Sequence, residues 1–345
     1  MVPENDSNHK PQNAARRTSA RGSLMPDTVA LDEGLFLIDL LYLDSPGVIA
    51  AYLLAGPDGD LALIESGPGS TLPALLAGIR GAGFDPAAVT KLIVTHIHLD
   101  HAGAAGELLR DVMPQATLYV HRLGAPHMID PSKLLTSAQR IYGNDMERLW
   151  GAFLPVPAER LVIVDDGMEI EAGGRRLQAI YTPGHAAHHL AFYDATHGGH
   201  LFTGDVAGIR LPGYSYVRPP TPPPDIDLAL WHGSIKRIMA LDPLPAAIYL
   251  THFGPFGDAP RHLHELGTRL DIWAGIVQSA MRGGQDRAGV RHTLELAGTP
   301  ALRLQTGADP DAVTRYELAA NYEMSVDGLT RYWRKADPAL ALWGR

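Results

Sequence analysis

The chain has 345 residues, no cysteine and a formal net charge of −9, with 46% hydrophobic and 19% charged residues. The missing cysteines exclude disulfides, iron–sulfur clusters, thiolate nucleophiles and thiolate-bound zinc. The acidic balance leaves no general basic field for a polyanion, so no nucleic-acid partner is expected. No apolar run reaches the ~20 residues of a membrane span, and the polar first residues lack the apolar segment of a secretory signal. The sequence therefore predicts a cytoplasmic protein without a membrane partner.

Residues 1–24 read as a disordered tail, with Met25 a second candidate start. From Gly34 the short apolar runs GLFLIDL, VIAAYLL and LALIES, with the turn Pro57-Asp58-Gly59-Asp60, predict β-hairpins. Ser70 or Thr71 is placed to cap a helix through Ile79. KLIVT reads as a buried strand, GAAGELLRDVM as a helix and TLYVH as a strand. Two helical patterns, PSKLLTSAQRIYG and DMERLWGAF, form an insert over about residues 122–160 that ends at Pro155 and Pro157.

The strands RLVIVDD, LQAIYTP, HLAFYD and HLFTGD follow, then the proline-rich loop RLPGYSYVRPPTPPPD, the helix IDLALWHGSIKRIMAL and the strand AAIYLTHFG. Beyond Pro260 the chain turns helical. Leu263, Leu266, Leu270, Trp273 and Val277 recur at spacings of three and four and make one apolar stripe. Either the chain's own sandwich and later helices cover that stripe, which is the expectation, or a second copy does so in a homodimer.

The run THIHLDH, Thr95–His101, follows the strand KLIVT. On extended backbone His96 and His98 point the same way and can reach one point in space. Asp100 and His101, beyond the strand end, can reach a second. The small residues of AGAAG then let a helix start pack closely under the turn. A closed site needs more ligands, and three candidates stand at later strand ends: His185 in YTPGHAAHH, Asp205 in LFTGD and His252 in IYLTHFG. Imidazole and carboxylate suit Zn(II), Fe(II) or Mn(II), and one carboxylate can bridge two ions. A lone histidine at a strand end is usually an ordinary core or surface residue, and His121, His127, His200 and His232 are read that way.

In His-x-His-x-Asp-His at His96, His98, Asp100 and His101, followed in order by His185, Asp205 and His252, the chain resembles the metallo-β-lactamase fold superfamily over roughly residues 34–255. The resemblance implies an α/β fold, an αββα sandwich, assigned to residues 25–258; the helical pattern beyond it is assigned to a separate region over 259–345. It implies one metal on His96, His98 and His185, a second on Asp100, His101 and His252, and Asp205 between them. His189 matches the second histidine of the family's TPGHTxGH pattern and is expected to support a neighbouring ligand. Glu65 stands where the family more often has aspartate, a departure expected to touch only the adjacent turn.

The expected activity is that of a dinuclear metal-dependent hydrolase. Two divalent ions, zinc first with iron or manganese as alternatives, hold a bridging water whose pKa falls to about 7, and the hydroxide attacks a small acyl substrate. Asp100 also orients the nucleophile or passes a proton to the leaving group. THIHLDHAG and TPGH are most similar to glyoxalase II-like hydrolases, although the segment after Asp205 lacks their TLFxxGCGR sequence. A thioester or lactone is therefore the expected small-molecule substrate. An RNase Z-like phosphodiesterase and an iron-dependent redox member are the alternatives. Tyr216 and Arg218, in the loop after Asp205, are expected to line the substrate pocket.

Overall fold

The computed structural model describes residues 28–344; the tail assigned to residues 1–24 lies outside them. The first sheet has seven strands in chain order: β1 (Thr28–Asp32), β2 (Leu35–Asp39), β3 (Ala50–Ala55), β4 (Leu61–Ile64), β5 (Val89–Ile93), β6 (Thr117–His121) and β7 (Leu161–Val164). β1 to β4 form an antiparallel meander, and β4 to β7 run parallel. The second sheet has six: β8 (Glu169–Ala172), β9 (Arg175–Tyr181), β10 (Leu190–Asp194), β11 (His200–Gly204), β12 (Ala247–Leu250) and β13 (Gly254–Phe256), ordered β13-β12-β11-β10-β9-β8.

The helices are α1 (Leu72–Gly81), α2 (Leu99–Ala102), α3 (Ala105–Glu107), α4 (Ala125–Ile129), α5 (Ser132–Tyr142), α6 (Met146–Trp150), α7 (Leu228–Met239), α8 (Ala259–Arg282), α9 (Arg287–Gln305), α10 (Pro310–Ala319) and α11 (Tyr322–Ala336).

Three apolar interfaces stack these elements into four layers. Between the sheets, Tyr52, Leu54, Ile64 and Ile93 meet Leu177, Phe192, Phe202 and Tyr249. Outside the first sheet, Leu53 and Leu63 pack with Leu75 and Ile79 of α1 and with Leu108. Outside the second, Leu201, Ile248 and Leu250 pack with Trp231 of α7 and with α8. Strands β3 and β4 bury both faces, which explains their unbroken apolar runs. The architecture is the αββα sandwich.

The stripe on α8 is covered by its own chain: Leu263, Leu266, Leu270 and Val277 are fully buried with α9 and α11. Removing each such side chain from water contributes about 1.5–3 kcal/mol. β1, β8, β13, α4 and α9 add to the predicted elements. The alternation in MEIEA is short and half acidic, and the helical pattern of α9 is blurred by Pro300. Thr71 does precede α1, but its hydroxyl donates to the Pro68 carbonyl (3.0 Å) instead of capping the helix. The predicted helix GAAGELLRDVM is broken into α3 and a wider turn over Leu108–Val112, and the short α2 precedes it within the histidine run.

Candidate metal centre

The histidine run sits where the sheets are sewn together. Beyond β5, Val94 N still donates to Tyr119 O in the first sheet (3.1 Å), while Leu190 N of the second sheet donates to Thr95 O (2.8 Å). On the other side of the seam Ala50 N donates to Thr251 O (2.8 Å). The candidate side chains then gather at this one edge: His96 and His98 beyond β5, Asp100 and His101 on α2, His185 in the turn after β9, and Asp205 and His252 past the ends of β11 and β12. Gly103 is required beneath them, because a Cβ there would lie 2.2 Å from Leu99 O and 2.9 Å from Pro68 Cα.

The structure brings all seven side chains together. His96 Nε2 and His185 Nε2 lie 3.0 and 2.9 Å from His98 Nδ1. His252 Nε2 lies 3.4 Å from Asp100 Oδ2, and His101 Nε2 lies 3.7 Å from the same oxygen. Asp205 spans the two groups, with Oδ1 3.3 Å from His101 Nε2 and Oδ2 3.3 Å from His185 Nε2. The sets His96–His98–His185 and Asp100–His101–His252 each keep their ligand atoms within 4.8 Å of one another.

Hydrogen bonds fix which ring nitrogen of each histidine stays bare. His252 Nδ1 donates to Val48 O (2.9 Å), His185 Nδ1 to Pro220 O (3.0 Å) and His101 Nδ1 to Glu65 (3.1 Å). His96 Nδ1 donates to Thr95 Oγ1 (3.0 Å), whose own proton goes to Glu65 Oε1 (2.5 Å). In each ring Nε2 is left to face the cluster. His98 is the exception and turns Nδ1 inward. His101 Nε2 and Asp205 Oδ1 are buried without a hydrogen-bond partner, which buried polar atoms rarely tolerate. Divalent cations fit this donor set.

The electrostatics agree. Burial lowers His96 well below its ordinary range, and the neighbouring imidazoles lower it further; burial also brings His185 down to about 4. Burial opposes ionisation of Asp100, yet His101 and His252 outweigh it and hold the carboxyl at about 2. Burial disfavours a charged His101, but Asp100, Asp205 and Glu65 overcome this and push its pKa up. Carboxylates concentrated here call for positive charge and raise the pKa of His252 as well, against the effect of its burial.

Two supporting residues differ in how far the sequence announced them. His189 accepts from Asp205 N at Nε2 (3.1 Å) and donates from Nδ1 to Thr182 Oγ1 (2.8 Å), so it positions the backbone of Asp205. The turn that brings this about is Gly204 at φ +49°, where a Cβ would meet Thr95 Oγ1 at 2.4 Å. Glu65 does more than shape its turn: besides Thr95 and His101, Thr251 Oγ1 donates to it at 3.3 Å. Its signal in the sequence was a buried-looking acid at the end of an apolar strand.

A pocket of about 230 Å³ opens over His98, Asp100, His185 and Asp205. The insert supplies one wall through α5 and α6, and residues 317–325, from the end of α10 to the start of α11, supply another. Tyr216 and Arg218 do not line it, contrary to expectation. Both are fully buried. Tyr216 lies edge-on to Tyr316 with Arg269 over its ring at 4.1 Å; Arg218 pairs with Glu317 at 2.6 Å and stacks over Tyr322 at 4.2 Å. The extended stretch carrying them faces α8, α10 and α11, and it is the prolines after it, from Pro220, that reach the pocket.

Residues 44–252 match the family model described as the metallo-beta-lactamase superfamily. The chain belongs to that superfamily. It is 32% identical over 173 residues to a metallo-beta-lactamase fold-containing protein of Sulfurisphaera tokodaii, covering 48% of this chain and 63% of that one. It is 29% identical over 161 residues to a hydroxyacylglutathione hydrolase of Aeromonas hydrophila, covering 47% and 46%. The chain thus spans from about half to just under two thirds of these relatives. Among solved structures, a metallo-beta-lactamase family protein of Thermus thermophilus superposes with a TM-score of 0.66 over 89% of this chain and 95% of that one, at 21% identity, a likeness of fold.

Proposed function

We propose that the chain is a dinuclear metal-dependent hydrolase of a small acyl compound, a thioester or a lactone. The observation that carries this reading is the set of inward-facing histidine nitrogens and carboxylate oxygens, divided into two groups with Asp205 between them, in which His101 Nε2 and Asp205 Oδ1 are buried without a hydrogen-bond partner. His96, His98 and His185 would hold one ion, Asp100, His101 and His252 the other. A donor set rich in imidazole suits zinc, with iron and manganese as alternatives. A bound pair of divalent ions supplies a water acidic enough to attack at neutral pH and polarises the substrate carbonyl.

The rest falls to the protein. Asp100 is the carboxylate at the pocket edge, its side chain 20% exposed, whereas Asp205 is 4% exposed. It is placed to accept a hydrogen bond from the attacking water and to pass the proton to the departing thiolate or alkoxide. His189 and Glu65 keep their neighbours in place while this occurs. The hydroxyacylglutathione hydrolase relative, and an N-acyl homoserine lactonase of Azorhizobium caulinodans 31% identical over 117 residues, support acyl chemistry. Among the described residues that line the pocket there is no lysine or arginine to hold a phosphodiester, which weighs against the RNase Z-like alternative.

The test is reconstitution. Chelator-stripped protein is loaded with zinc, iron or manganese and assayed against panels of thioesters, lactones and phosphodiesters. The reading expects thioester or lactone cleavage by at least one loaded form and none by the stripped form. Cleavage confined to phosphodiesters, or undiminished activity without metal, overturns it.

A further inference from the structure

Beyond the reacting edge, the pocket has a character of its own. One wall is Leu134, Ile141 and Tyr142 of α5 with Trp150 of α6; the facing wall is Pro222, Leu318 and Met324. Among the described residues that line it there is no lysine or arginine. Apart from Asp100 and Asp205 its one acid is Glu317, which is tied to buried Arg218 at 2.6 Å. Burial holds the phenols of Tyr42 and Tyr142 above their ordinary range, so they too are uncharged at neutral pH. Ala138 sits on the inner side of α5, 6% exposed, and leaves the space between the walls open.

Away from the metal edge, a carrier with free carboxylates, such as glutathione, or with phosphates finds no lysine or arginine on these walls and would bring its charge toward Glu317 in a chain of net charge −9. An apolar tail finds the opposite: aliphatic and aromatic walls that shed water on contact. Resting on the acyl-hydrolase reading above, we propose that this pocket selects an uncharged substrate with an extended apolar acyl tail, laid between α5 and the α10–α11 turn, and rejects anionic carriers. The insert and the C-terminal helices are then the specificity elements, and the metal edge is indifferent to what they choose.

The test uses the metal-loaded full chain and two readouts. In the first, kcat/KM is measured for uncharged thioesters from butanoyl to octanoyl and for S-lactoylglutathione. Burying a methylene contributes ~0.8 kcal/mol, about fourfold, so kcat/KM is expected to rise by more than a hundredfold from butanoyl to octanoyl if all four are buried. S-lactoylglutathione is expected to fall below the octanoyl compound by at least that factor. Ala138→Phe, which fills the space from one wall, and Met324→Trp, which fills it from the other, should each cut the octanoyl-to-butanoyl ratio to about tenfold or less.

The second readout needs no hydrolysis: calorimetric binding of the unreactive amides butanamide to octanamide, expected to tighten with length. Length-dependent amide binding without cleavage of any thioester or lactone would sink the hydrolase reading and leave this one standing. Rates and affinities flat with chain length, or S-lactoylglutathione as the preferred substrate, would overturn it.

Discussion

Glu65→Ala is the perturbation that isolates the support of the metal edge from the ligands themselves. The Glu65 side chain is fully buried, and Oε1 accepts from Thr95 Oγ1 at 2.5 Å, His101 Nδ1 at 3.1 Å and Thr251 Oγ1 at 3.3 Å. Alanine leaves these donors without an acceptor in a place water does not reach. Each buried unsatisfied group costs about 1–3 kcal/mol, so after partial relaxation the loss of folding stability is expected to be about 3 kcal/mol or more. A second effect is separate. His101 and, through Thr95, His96 lose the acceptor that orients them, and removal of such a partner lowers metal affinity by roughly 10–100-fold.

Urea unfolding of the chelator-stripped protein measures the first effect, and competitive zinc titration of the folded protein measures the second. Glu65→Gln separates charge from hydrogen bonding, since it keeps an acceptor oxygen and should lie between the alanine variant and the native chain in both. Unchanged unfolding midpoint and unchanged zinc affinity in Glu65→Ala would refute the reasoning.

Other consequences lie further from the metal edge. His262 is buried, its Nε2–H donating to Ala207 O at 2.7 Å; burial, aided by Arg210 and Arg261 and opposed by the Ala207 carbonyl and Asp258, brings its pKa to about 4. The unfolded chain, near 6.5, takes up the proton first as pH falls, so this residue's share of stability is full above about pH 6.5 and declines toward pH 4 by up to about 3 kcal/mol. His262→Gln should lack that share of the decline in unfolding experiments between pH 7 and 4.5; an identical pH profile would contradict it. Arg218→Met should lower the thermal midpoint by several degrees through loss of the Glu317 pair and the Tyr322 stacking, with kcat/KM for different substrates keeping the same order; a changed order with an unchanged midpoint would restore Arg218 to substrate recognition.

The metal edge was legible in the sequence because its geometry is local. A period of two on extended backbone aligns His96 with His98, and strand ends announce His185, Asp205 and His252. What surrounds the edge depends on contacts that local pattern does not encode. Glu65 meets Thr95, His101 and Thr251 only after three separate strands converge. Tyr216 and Arg218 sit in a proline-rich loop with no periodicity, so nothing in the loop's own residues says which side faces α8 and which the pocket. The wall at residues 317–325 joins the end of α10 to the start of α11, far along the chain from the last strand, and its part in the pocket follows from the packing of α11 on α8 and α9.

Under the proposed function seven side chains would hold two ions with Asp205 between them. Elemental analysis of dialysed protein, joined to the same measurement on Asp205→Ala, tests it most directly. The account predicts close to two transition-metal ions per chain in the native protein, as in a dinuclear site, and loss at both positions, well below one ion per chain, in the variant. Two ions retained in Asp205→Ala, or a native chain that carries one ion at saturation, would contradict it.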